Sequence, residues 1–351
     1  MARADAIGTV AAVNPSRWWQ FHLSRWAGLM ICLGVAAVIA LLSLRLGSLS
    51  ISTQNAIDAI FSYNPEVYEQ TIVRELRVPR TLIALCVGGG LAVAGTVMQA
   101  VTRNPLADPS ILGVSQGASL AVAIAITYFG MSNPNEYVWM SFVGALLASV
   151  LVFMVGTAGH GGASPVKLAL AGIVVSAMLG AWNSSILLMH EDTMDRIRFW
   201  LAGSVAGRDI ETLWAVIPFL AVGTGACLLL GHQLNVMSMG DESARALGMN
   251  TTRVRVIASI LVILITGAAV SVAGPIGFVG LATPHIVRSV VGPDNRWVLA
   301  YSLVVGAILL TAADVAGRLA TRPAELQVGI VTALVGAPFL VILARRTRLA
   351  G

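Results

Sequence analysis

The sequence predicts an all-α polytopic membrane protein with about ten transmembrane helices. Three observations carry this reading. Only 11% of the 351 residues are charged and 57% are hydrophobic, where a soluble chain carries roughly 25% charge. Apolar runs recur at about 20 residues, the length that crosses ~30 Å of hydrocarbon as a helix. The alternation of a membrane barrel is missing, and lipid gives backbone polar groups no partner outside helices and closed barrels.

The elements follow in order. Residues 1–25 form a mixed segment with Arg3, Arg17 and Arg25, and with Trp18, Trp19 and Trp26 at the membrane edge. Interfacial tryptophans and flanking arginines are anchors. About 25 residues precede the first apolar run, and that run is long enough to span, unlike a cleavable signal core. Span 1 is therefore 26–46. A polar stretch over 47–75 holds a short amphipathic helix at 53–62, expected to bury Ile57, Ile60 and Phe61.

Span 2, 78–101, is crowded with Gly88, Gly89, Gly90 and Gly95. It ends in the polar corner Asn104-Pro-Leu-Ala-Asp-Pro109, which turns the chain into span 3, 109–129. Span 4 is 138–157. Pro165 suits the first turn of span 5, 166–189. That span carries Gly172, Ser176, Gly180 and Ser184, each four apart and so on one face. Such a face either admits a close helix neighbour or lines a path.

Residues 190–211 are charged and read as a short surface helix and loop. Span 6 is 212–231. Gly240-Asp-Glu-Ser-Ala-Arg-Ala-Leu-Gly248 lies in the polar segment before span 7, 254–273. Gly274-Pro-Ile-Gly277 precedes the short span 8, 278–291. Spans 9 and 10 are 297–317 and 327–344. Ten spans put both termini on one side. Placing them inside leaves 13 of the 22 basic residues inside and nine outside, with 11 of the 17 acidic residues outside, the sign the positive-inside rule requires. Leu91-Ala-Val-Ala-Gly95 echoes Val270-Ser-Val-Ala-Gly274, which hints at an inverted repeat.

Several chemistries are excluded. The single lysine, Lys167, sits in Ser-Pro-Val-Lys-Leu, so no phosphate-binding Gly-x-x-x-x-Gly-Lys-Ser/Thr loop exists. ATP, if used, is hydrolysed by a partner. Zincin and dinucleotide patterns are absent. Cys32, Cys86 and Cys227 fit no metal or disulfide spacing. His190, Glu191 and Asp192 read as a solvated outer loop rather than a metal site. The arginines form no continuous basic face, so nucleic acid is not an expected partner. Asp314 is an intramembrane carboxylate and thus a functional candidate, but Arg318 lies one turn along the same face and explains it as a local ion pair. A proton-driven secondary transporter would need further mid-membrane carboxylates.

Residues 26–346 resemble the bacterial ABC importer permeases for iron siderophores, haem and cobalamin. The resemblance rests on Arg77-Val-Pro-Arg80, Asn104-Pro-Leu-Ala-Asp108, Gly113-Val-Ser-Gln-Gly117, Gly240–Gly248, Gly274-Pro-Ile-Gly-Phe-Val-Gly-Leu-Ala-Thr-Pro-His285 and Glu325-Leu-Gln-Val-Gly329 with Gly336-Ala-Pro338. It implies a pore of two permease subunits, the same chain or a related one. Two cytoplasmic ATPases would hold ATP and Mg, and an external binding protein would deliver the ligand. No cofactor on this chain and no catalytic residue are implied.

In that frame residues 236–250 are a cytoplasmic coupling segment. Gly240, Asp241, Glu242, Ala244, Arg245, Leu247 and Gly248 would meet the ATPase. Arg77, Arg80 and Arg318 would dock the binding protein, or else anchor the membrane edge. Asn104 and Leu106 would form an inner gate, or else a plain Asn-Pro turn. Gly172, Ser176, Gly180 and Ser184 would line the translocation path, or else pack. The implied cargo is a ferric siderophore, with haem or cobalamin as alternatives and ion-coupled secondary transport as the competing class. The expected location is a bacterial inner membrane, with residues 1–25 and the tail 347–351 in the cytoplasm.

Overall fold

The computed structural model describes residues 22–47, 49–131, 133–158, 165–322 and 324–348. The expectations for residues 1–21, the 159–164 corner and residues 349–351 lie outside them. Helix follows helix: α1 (His22–Arg45), α2 (Thr53–Phe61), α3 (Tyr68–Ile72), α4 (Val78–Thr102), α5 (Val114–Phe129), α6 (Pro134–Thr157), α7 (Pro165–Met189), α8 (Glu191–Leu201), α9 (Ile210–Leu229), α10 (Gly231–Ser238), α11 (Asp241–Ala246), α12 (Thr251–Ala273), α13 (Val279–Val291), α14 (Asn295–Ala320) and α15 (Val328–Arg348).

Each of the ten expected spans is an apolar helix. Seven are long and apolar enough to cross a membrane; α5, α13 and the apolar part of α15 are shorter. Span 2 is longer than its hydropathy suggests. A π-helical turn, Val73–Arg77, joins α3 to α4 without a break, giving one 35-residue rod. Span 3 begins later than expected. Pro109–Leu112 is a 3-10 turn capped by Asp108, and Gly113 (φ 74°) redirects the chain into α5.

The α4 helix is the axis of the bundle. It packs against α14, α12, α13 and α9, and 83% of its apolar window is buried. Its glycines explain how. A Cβ on Gly88 would collide with the Gly306 carbonyl and come within 2.7 Å of Leu310 Cβ, and one on Gly95 would enter the Gly280 backbone. Small residues let membrane helices touch backbone to backbone. The α5–α6 pair repeats the device through Gly117 and Gly144. The echoing Val270–Gly274 is used differently: Gly274 ends α12 at φ 70° beside the Trp200 carbonyl.

One packing expectation is overturned. The α2 helix buries Ala56 and Ala59 against Leu44, Ile51 and Val73, while Ile57, Ile60 and Phe61 are exposed. The small residues permit the closer approach. The α1 helix is peripheral: it packs mainly on α14, with 11% of its apolar window buried.

Candidate functional site

The charged residues gather at the two ends of the bundle. At the end where α1 stops, Arg77 donates to the carbonyls of Leu44 (2.9 Å), Arg45 (2.7 Å) and Leu49. Arg318, on α14, donates to Ser43 O and Leu46 O, both at 2.9 Å, and to Ser43 Oγ at 2.6 Å. The last carbonyls of a helix lack intrahelical partners and favour cations, so two guanidiniums from other helices cap α1.

Asp314 is 1% exposed and lies 3.1 Å from Arg318, as the four-residue spacing suggested. Its closer partner is Arg80, which reaches it through both Nε (3.0–3.1 Å) and Nη2 (2.8 Å). Arg80 also meets Glu325 at 2.6 Å. The cluster ties α1, α4, α14 and the segment after α14 together.

Arg77, Arg80 and Arg318, expected to dock a binding protein or to anchor the membrane edge, are held by partners within the chain. Arg77 is 6% and Arg318 1% exposed, and every one of the three is bonded internally. A guanidinium's five donors close backbone carbonyls and buried carboxylates that would otherwise be unsatisfied.

At the opposite end, α11 is bracketed by Gly240 (φ 110°) and Gly248 (φ 82°). Positive φ favours glycine, so both ends of this six-residue helix turn without strain. Asp241 accepts from Arg255 Nη2 at 2.7 and 2.8 Å and from Arg103; Arg103 also donates to Met237 O at 3.2 Å. The hydrogen bond from Arg255, and then the charges of Arg255 and Arg103, hold the Asp241 carboxyl below its ordinary value of 3.8 against the opposing effect of partial burial.

Ala244 is fully buried, while Leu247 is 66% exposed and Glu242, Arg245 and Gly248 are exposed. Asp241 and Ala244 fasten the segment to its own chain. Glu242, Arg245, Leu247 and Gly248 are its outward residues.

The Asn104 corner adjoins this face. Asn104 Oδ1 accepts from the Leu106 amide at 2.9 Å, and Leu106 is 51% exposed. His285 Nε2 lies 2.9 Å from the Pro105 carbonyl. Gln99 binds Leu281 O (3.2 Å) and Arg288 (2.5 Å), pinning the end of α4 to α13. The small ladder on α7 divides. Gly172 abuts the Ile111 carbonyl, Ser176 lies against Gly113, and Gly180 faces Gln116, whereas Ser184 is exposed. On α7, Ile173, Val174 and Trp182 are each about 60% exposed among the described residues.

A model of the FecCD transport family matches residues 35–346. The chain belongs to the FecCD transport family. Among relatives of this FecCD-family chain, the probable siderophore transport system permease YfiZ of Bacillus subtilis is 37% identical over 92% of this chain and 97% of its own length. The ferric enterobactin permease FepD of Escherichia coli is 42% identical over 91% and 94%. A solved inward-facing transporter of the metal-chelate ABC type superposes with a TM-score of 0.80 at 29% identity, covering 91% of this chain and 98% of that one.

The chain is therefore a membrane transport permease. Arg103, Arg255 and Glu325 were not singled out in the sequence as working residues. Arg103 directly precedes the Asn104 corner and Glu325 opens a quoted motif, but their partners lie 138 and 245 residues away, and no local pattern pairs them.

Proposed function

We propose that this FecCD-family chain is the pore subunit of an ATP-driven importer for a ferric siderophore. Its partners are a second permease subunit, two cytoplasmic ATPases that hold ATP and Mg, and an external binding protein. The observation that carries the reading is the α11 face. Asp241, Arg103 and Arg255 make α11 rigid with α4 and α12, while Glu242, Arg245 and Leu247 remain outward. A push on that face is delivered to the helix at the centre of the bundle.

All ten apolar helices cross the membrane in this reading, the three short ones with help from flanking turns, and both termini are cytoplasmic. The two halves run as an inverted repeat. Residues 236–250 are the coupling segment within a transmembrane domain of 26–346. Asn104 and Leu106 constrict the inner exit. Ser184 and the open side of Gly180 border the path, with Gly172 and Ser176 holding α7 in place. The second permease subunit covers Ile173, Val174 and Trp182. The binding protein docks above α1 and α14, where Arg77, Arg80 and Arg318 act indirectly by fixing the positions of α1 and Glu325.

The permease works by alternating access and performs no covalent chemistry. The siderophore assignment rests on the cargo of relatives such as YfiZ and FepD. It is tested by uptake of radiolabelled ferric siderophores, haem and cobalamin into proteoliposomes holding the whole importer. A ferric siderophore is expected to be taken up; uptake of haem or cobalamin alone would keep the permease and replace the cargo.

A further inference from the structure

A cavity of about 610 Å³ opens at the α11 end, between α4, α6, α7, α11 and α12. That volume lies within the ~300–1,000 Å³ of small-molecule sites, which are mostly apolar with a few placed polar groups. Met98, Val101, Leu112, Phe153, Leu168 and Leu170 are among the apolar residues of its wall. The charged residues, Asp241, Arg245 and Arg255, come from α11 and the start of α12. A ligand matching this division is an amphiphile.

The sign of its head follows from the side chains. Asp241 is paired with Arg255 and with Arg103 outside the lining, and Arg245 adds a second guanidinium to the cavity wall, so positive charge exceeds negative there. Arg255 Nε is buried without a hydrogen-bond partner. Arg245 has one long contact, 3.4 Å from its Nε to Thr251 Oγ1. Donors remain for an anion with several oxygens.

We propose that this cavity binds an anionic phospholipid of the cytoplasmic leaflet, its phosphodiester at Arg245 and Arg255 and an acyl chain along Met98, Val101, Phe153 and Leu168. Basic pockets between membrane helices on the cytoplasmic side suit such headgroups. The apolar wall favours a lipid over a free phosphate, because an inorganic anion would leave it uncovered. The leaflet rests on the orientation proposed above; the site itself does not. A lipid here lies against α11, so its occupancy would stiffen the coupling face.

The test is native mass spectrometry of the full chain, delipidated in detergent. It is then titrated with phosphatidylglycerol, with phosphatidylcholine of the same acyl chains, and with inorganic phosphate. Phosphatidylglycerol is expected to be retained about thirtyfold over phosphatidylcholine, the order expected from two arginines near a headgroup. Arg245→Gln should bring the ratio down to about five, the share of Arg255 alone. Ala169→Trp, which fills the cavity wall, should lower retention of phosphatidylglycerol while the helical circular dichroism is kept. Equal retention of the two lipids, or a preference unchanged in both variants, would overturn the site. Phosphate displacing phosphatidylglycerol at matched concentration would overturn the lipid in favour of a free anion. The measurement involves no ATPase and no transport, so its failure leaves the proposed function standing.

Discussion

Replacing Asp314 by Asn tests whether the charge cluster of Arg80, Asp314 and Arg318 is a structural fastening. Asp314 is the one carboxylate shared by Arg80 and Arg318, at 2.8 and 3.1 Å. Removing one member of a buried ion pair costs about 3–5 kcal/mol, because the partner charge stays buried and uncompensated. Here the loss falls at the lower end, about 3 kcal/mol. Arg80 keeps Glu325 at 2.6 Å, and Arg318 keeps Ser43 O, Leu46 O and Ser43 Oγ. The assay is unfolding of the purified chain in mixed micelles with increasing denaturing detergent, followed by tryptophan fluorescence. Asp314→Asn should unfold much earlier than the parent. Arg80→Gln combined with Asp314→Asn should cost less than the sum of the single changes, as coupled residues do. An unchanged midpoint with abolished transport would refute the reasoning and make Asp314 a transported-ion site.

Three further predictions concern the axis and the α11 face. Gly88→Ala should destabilise the bundle by about 1–3 kcal/mol, because the new methyl meets the Gly306 carbonyl and Leu310 Cβ; the same unfolding assay reads it, and a neutral result would mean α4 and α14 are not in backbone contact. Leu247→Asp should leave unfolding within about 0.5 kcal/mol of the parent, as exposed substitutions do, yet abolish co-purification of the ATPase; retention of the ATPase would remove Leu247 from the interface. The Asp241 contribution is present above its ordinary value of 3.8 and is lost only as pH falls through its lowered value in the folded protein. Hydrogen exchange over 241–255 should therefore rise on acidification of the parent, while Asp241→Asn should exchange fast already at neutral pH; equal protection in both at neutral pH would contradict the anchor.

Hydropathy was enough to locate every apolar helix, because lipid forces each apolar run to close its own backbone hydrogen bonds. The Gly-rich span was legible as a close-packing helix for the same reason that it became the axis: a residue without Cβ admits a neighbouring backbone. What the sequence hid is long-range pairing. Arg80 and Asp314 are 234 residues apart, so no local pattern around Arg77-Val-Pro-Arg80 announces that pairing. The Asp314–Arg318 pair was visible since it is one turn long. Within α11 Glu242 and Leu247 are exposed, while Asp241 is held by Arg255 and Arg103, which converge on it from α12 and the end of α4. At α2 the periodicity pointed to the large apolar residues, but Ala56 and Ala59 do the packing because their small side chains let the helix approach Leu44, Ile51 and Val73 more closely.

The most direct test of the central claim is the energy source for uptake. The chain is reconstituted in proteoliposomes with its ATPase and binding protein, and entry of a labelled ferric siderophore is followed with hydrolysable ATP, with a non-hydrolysable analogue, and with an ion gradient alone. Uptake only with hydrolysable ATP on the α11 side, lost in Leu247→Asp, is the predicted result. Uptake by this chain alone under an ion gradient, with no ATPase present, would contradict the account.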